Sequence, residues 1–229
     1  MKLFYNQYET AFLDSSYFNF VAVEGATEFY NIQYDLEVQM LGEKDKFILS
    51  ENGNILPFQK SVDWITNIWN LDINSRKMTT KLYDYLSETL RENGLDLKIF
   101  EKWNEIEEII EEAFYDEPSV VFSKEFANLP QVMKSFEVKL DDNIDRPLFD
   151  RIIDYCSCKI RFEGKIVFIF NQLLAYLKNN DIIELGKYCS NEKVYILILD
   201  KYLPELDDRI NGRFTLIDED LCDVLICEP

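Results

Sequence analysis

Apolar positions along the chain follow three different rhythms, and each predicts different elements. In the first third, short runs such as KLFYN and YFNFVAV read as strands, while Thr27 to Met40 carries Phe29, Ile32, Leu36 and Met40 at helical spacing. KFILSENGNILPF sets Asn52-Gly53 between two apolar runs, which predicts a hairpin. Val62 to Leu71, VDWITNIWNL, fits a strand and a helix equally well. The middle third is helical. Asn74 or Ser75 can cap a helix in which Met78, Leu82, Leu86 and Leu90 recur every four residues, and Gly94 follows its end. A second helix, from about Ile99 to Phe114, aligns Phe100, Trp103, Ile106, Ile110 and Ala113 on one stripe, with glutamates filling the other face. A third begins near Pro147, a good first-turn residue, and carries Phe149, Ile152, Ile153 and Cys156. These three would pair as an elongated arm.

The last third changes character. KIVFIF (Lys165 to Phe170) and VYILIL (Val194 to Leu199) are continuously apolar, and helical segments between them end near Tyr188. Two such runs joined through helix predict a βαβ unit whose parallel strands are buried on both faces. RFTLI and DVLIC then read as closing strands. The fold class expected is α/β, a head with a parallel-containing sheet interrupted by an inserted α-helical leg. The boundaries fall at 1–73 for the first part of the head, 74–159 for the leg and 160–229 for the rest of the head.

Composition narrows the chemistry. At 229 residues and 47% hydrophobic content the chain can bury a substantial core. It contains no histidine, which removes Ser-His and Cys-His nucleophiles, histidine metal ligation and the commonest general base. Five cysteines with no C-x-x-C pair indicate buried thiols rather than a disulfide framework or a zinc site. No apolar run is long enough to cross a bilayer and the N-terminus lacks a signal-peptide profile, so a cytoplasmic chain with no membrane partner is expected. The net charge of −19 would repel nucleic acid if spread evenly, so any DNA contact must segregate its cations.

FNFVAVEGATEFYNIQ reads as strand, glycine turn and helix, the place of a phosphate loop. Only Gly25 is present, and no lysine follows until Lys44, so the unit reads as a structural turn. Asp200 after VYILIL is the acid that would serve a nucleotide site, but an aspartate commonly ends a strand. Two groups of cations stand out: Arg76, Lys77 and Lys81, and then Lys159, Arg161 and Lys165. The acid-rich stretches EIEEIIEEAFYDE and LDDRINGRFTLIDEDLCD read as solvated faces or, more sharply, as sources of calcium ligands without an EF-hand pattern.

Several stretches together resemble the type II-A CRISPR-associated Csn family, the small ring-forming protein of spacer acquisition. LDINSRKMTTKLYDYLSETL is similar to that family's Asp-x-Asn-Ser turn and the helix after it. KIVFIFNQLLAYLKNNDIIELGKYC looks like its strand ending in Asn and the following helix, and GRFTLIDEDL is close to its Arg-Phe-x-x-Ile-x-Asp-Glu strand. The opening MKLFYNQYETAFLDSSYFNFVAVEGATEFYNI fits in order and spacing, so the resemblance covers most of the chain.

The resemblance implies a head like that of phosphate-loop ATPases with the loop chemistry lost, and no catalysis. It implies a homotetrameric ring through which double-stranded DNA threads from an end, with calcium ions holding the ring. Glu117, Glu125 and Asp141 are the nearest calcium ligands by position. The partners implied are the CRISPR integrase complex and the RNA-guided effector nuclease. Arg76, Lys77, Lys81, Lys159, Arg161 and Lys165 would line the hole. Two rival readings are an acidic DNA-mimic or scaffold protein that binds a basic partner, and a nucleotide-hydrolysing α/β enzyme.

Overall fold

The structure is a computed structural model, and it describes residues 1–5, 8–116, 128–142, 144–204, 210, 212–218 and 223–227. In chain order its elements are β1 (Lys2–Tyr5), β2 (Tyr8–Phe12), β3 (Phe18–Val23), α1 (Ala26–Met40), β4 (Phe47–Glu51), β5 (Asn54–Leu56), α2 (Phe58–Ser61) and β6 (Val62–Ile65). There follow α3 (Arg76–Glu92), α4 (Asp96–Ala113), α5 (Leu129–Ser135), α6 (Leu148–Glu163), β7 (Val167–Asn171) and a 3-10 turn at Leu173–Tyr176. The chain closes with α7 (Asn179–Glu192), β8 (Tyr195–Asp200), β9 (Gly212–Ile217) and β10 (Asp223–Cys227). It divides into two compact units, Met1–Asp72 with Asn143–Pro229, and Ile73–Asp142.

The first unit is the α/β head. Its larger sheet runs β10-β9-β3-β8-β7-β6, parallel from β9 to β6, with β10 antiparallel at one edge. The apolar runs that predicted buried strands supply its middle: every residue of β3 is buried, as are the first four of β7. Such strands must be covered on both faces, which is why they show no polar alternation. A second sheet, β2-β1-β4-β5, is antiparallel, and Asn52-Gly53 forms its β4–β5 turn with both residues at positive φ. Leu3, Phe47 and Leu49 of that sheet share one core with Ile32 and Leu36 of α1 and with Val21, Ile169 and Leu199 of the parallel strands.

Two buried polar side chains of the head tie neighbouring elements together. Asn19, fixed in β3, donates to the carbonyls of Asp14 and Ile196, and Gln39 of α1 accepts from Phe47 N and donates to Phe47 O. α6 also belongs to this unit. Its Tyr155 hydroxyl donates to Asp63 of β6 over 2.7 Å, and Ile152 and Cys156 are fully buried. That places Leu148–Glu163 with the head, whereas the boundary drawn at 159 on sequence puts most of this helix in the leg. Its apolar stripe is buried in the head, and the Tyr155–Asp63 bond ties it to β6.

The second unit holds α3, α4 and α5. Ser75 caps α3 by accepting from Met78 N, and Gly94 follows its end in the left-handed region, as the sequence indicates. Asn74 bridges instead: its side chain donates to Leu140 O and accepts from Leu140 N, at 3.0 and 2.9 Å. α5 opens on a capping box, Asn128 with Gln131, and has Pro130 in its first turn. α4 differs from expectation. Its stripe exists, but none of its residues is buried.

Candidate nucleic-acid interface

The strand, turn and helix at β3–α1 sit where a phosphate loop would, and the local geometry decides what the turn can hold. Gly25 caps α1 with φ −67° and ψ 123°, a conformation open to any residue, so glycine is not required for backbone strain. Space is the constraint. A Cβ on Gly25 would lie 2.0 Å from the Glu28 carboxylate. Glu28 therefore folds back over the first turn, and its negative charge lies at the positive end of the helix. Opposite Ala22, β8 ends at Asp200, whose carboxylate closes its own turn by accepting from Lys201 N at 2.6 Å. A triphosphate approaching this end would meet the carboxylates of Glu28 and Asp200. Sequence reasoning missed Glu28, whose signal was an acid three residues after the cap glycine.

The basic residues separate into three situations. Arg76, Lys77 and Lys81 are exposed on the first six residues of α3, RKMTTK, which contain no acid. Arg76 and Lys77 stand at the positive end of the helix dipole, where a cation is disfavoured by about 0.3–1 kcal/mol. Lys159 and Arg161 lie in the head on α6. Lys159 pairs with Glu163 at 2.7 Å and sits over the Tyr155 ring, and Arg161 lies 5.4 Å from the Phe162 ring centroid. Lys165 is different again: it is 4% exposed, and its ammonium donates to the carbonyls of Gln59 and Val62. It fastens the end of α2 and the start of β6, which corrects the expectation that it faces DNA. A lysine just before an apolar strand looks solvent-facing in sequence, but here the β6–β7 pairing draws it inward.

Among the expected calcium ligands, Asp141 follows the Leu140 that Asn74 holds, and it is exposed. Glu117 and Glu125 lie outside the described residues. Among the described residues no three acidic or thiol groups come close enough to hold one ion. The thiols of Cys156, Cys158 and Cys189 are held towards the protonated form. Burial pushes Cys189 up to about 12 from 9.0 and raises Cys156 and Cys158. No described helix is long and apolar enough to cross a membrane.

Residues 39–221 match the family described as CRISPR-associated protein (Cas_Csn2). The fold is similar to the crystal structure of Stu0660 of Streptococcus thermophilus, with a TM-score of 0.62 and 15% identity over 100% of this chain and 77% of that one. A dimeric structure of the ATP-binding cassette MJ0796 in a post-hydrolysis state, bound to ADP and Pi, is similar at a TM-score of 0.41 and 9% identity, covering 99% and 93% of the two chains. No curated protein matches.

Proposed function

The chain belongs to the Cas_Csn2 family of CRISPR-associated proteins, which implies a role in CRISPR adaptation, and on that premise we propose that it is a non-catalytic clamp on double-stranded DNA ends. Four copies close into a ring, duplex DNA enters from an end, and cations meet phosphates without reading bases. Calcium steadies the assembled form, and the CRISPR integrase and RNA-guided effector nuclease receive the DNA. The observation that supports DNA binding best is the start of α3. Arg76 and Lys77 occupy a first turn where stability favours acids, so their presence asks for a reason outside folding. The absence of catalysis is supported by Glu28, which folds over the first turn of α1 where a phosphate would sit, and by the burial that raises the thiols of Cys156 and Cys189.

Competition between linear and covalently closed circular duplex, with assembly mass followed by light scattering, tests this reading. A ring that must be threaded binds the linear fragment far better than the circle. Replacing Arg76→Glu and Lys81→Glu should flatten the slope of log affinity against log salt by about 0.9 for each phosphate that is no longer neutralised. Thermal stability should hold, because an acid at position 76 suits the helix dipole. Equal competition by the circle would sink threading, and a monomeric mass would sink the ring.

A further inference from the structure

From the same helical unit we infer that the exposed flank of α4 docks a basic amphipathic helix of a partner protein. Ile106, Ile109, Ile110 and Ala113 recur at the spacing of one helix face, yet all four are exposed. Ile106 is 50% and Ile109 67% open to solvent, and α4 buries none of its own residues although it touches α3. Carboxylates line this apolar strip. The helix sequence, DLKIFEKWNEIEEIIEEA, carries seven acids against two lysines, a formal −5. One of those lysines, Lys102, is already paired with Glu105 at 2.7 Å.

Charge selects the occupant. A second copy of this helix would set −5 against −5 at touching distance, well inside the screening length of about 8–10 Å. Nucleic acid and anionic lipid fail for the same reason. A helix with a stripe of leucine or isoleucine flanked by lysine and arginine satisfies both features, seating its apolar residues on the isoleucines and its cations on the flanking glutamates. The inference stands apart from the DNA clamp, because it uses α4 and not the cations of α3.

Fluorescence anisotropy with the full-length protein in chelator tests it. The probes are a labelled 18-residue leucine–lysine peptide with helical periodicity and a scrambled peptide of identical composition. The periodic peptide should bind at least about tenfold more tightly, and the double variant Ile106→Ser, Ile109→Ser should abolish that preference. The variant keeps every charge, so a general attraction to an acidic protein leaves it unaffected. Two unaltered readouts separate docking from unfolding: the melting temperature and linear-DNA affinity, the latter also reporting independently on the clamp. Equal binding of periodic and scrambled peptides overturns the inference. So does a fall in assembly mass caused by the isoleucine variant, with or without calcium, because that would make a second copy the occupant.

Discussion

Replacing Lys165 by methionine separates an interior lysine from a DNA-facing one. The residue is 4% exposed, and its ammonium donates to two backbone carbonyls, Gln59 O and Val62 O. Methionine fills similar volume but leaves both acceptors without that donor. Loss of a charge-assisted hydrogen bond costs about 1.5–3 kcal/mol, and an unpaired buried carbonyl keeps most of its desolvation cost. Relief of the buried ammonium's own desolvation offsets part of this. The net expectation is about 2–4 kcal/mol of destabilisation. For a chain of this size each kcal/mol lowers the melting temperature by about 2–4 °C, so the midpoint should drop by about 4–16 °C. Lys165→Gln retains a neutral donor and should recover part of the loss.

Thermal melts and salt-dependent DNA binding, run on the same preparations, read the two roles apart. An interior Lys165 leaves the salt slope of DNA binding unchanged in the fraction still folded. If Lys165 lined a tetrameric ring, the substitution could leave as many as four phosphates without a counter-charge, flattening the slope by roughly 3.6. An unchanged melt together with a flattened slope would refute the interior assignment.

Three further outcomes follow from the same geometry. Gly25→Ala should be tolerated within about 1 kcal/mol, since only the flexible end of Glu28 must swing aside, and calorimetry with ATP should give no saturable heat; saturable binding lost in that variant would restore a nucleotide site. Burial raises the proton affinity of Cys189, Cys156 and Tyr155 in the folded chain, so the unfolded chain releases these protons first as pH rises; stability should hold below about pH 9 and decline from 9 towards 12. Urea titrations across that range should show Cys189→Ala reducing the decline by up to about 1.4 kcal/mol per pH unit, and a pH-independent midpoint would contradict the burial of these groups. If calcium binds the folded assembly, the melting temperature should climb with calcium and fall with chelator, and a flat response across millimolar calcium would remove the ion from the proposal.

Strands buried on both faces are legible because their continuous apolar runs have few other readings: FNFVAV, VFIFN and YILILD form β3, β7 and β8. Local backbone signals are legible for a similar reason. Asn52-Gly53 turns, Ser75 caps, and Gly94 takes the left-handed conformation, each through atoms only a few residues apart. The capping signal of α5, Asn128-Leu-Pro-Gln131, is equally local, although no helix was expected there. What could not be read was which surface covers which stripe. α6 and α4 both show helical apolar periodicity, yet α6 packs on β6 through a bond spanning 92 residues while α4 stays exposed. Periodicity identifies a face that needs cover and says nothing of its source. Lys165 failed for the same reason, since its acceptors lie more than 100 residues away in sequence.

The charge of −19 is the strongest argument for an acidic scaffold against a DNA clamp, and the structure weakens the force of that choice. Electrostatic attraction acts over about 8–10 Å at ordinary ionic strength, so a partner responds to local patches more than to the sum. Within one helical unit the first six residues of α3 carry three cations and no acid, while α4 carries a formal −5. A polyanion and a basic helix can therefore each find a complementary surface on the same chain. The two activities should also separate cleanly. Reversing Arg76 and Lys81 should weaken DNA binding and spare the periodic peptide, and replacing Glu105 and Glu112 by glutamine should do the opposite. If each pair of substitutions weakened both ligands equally, net charge would be the governing quantity after all, and neither patch would be a site.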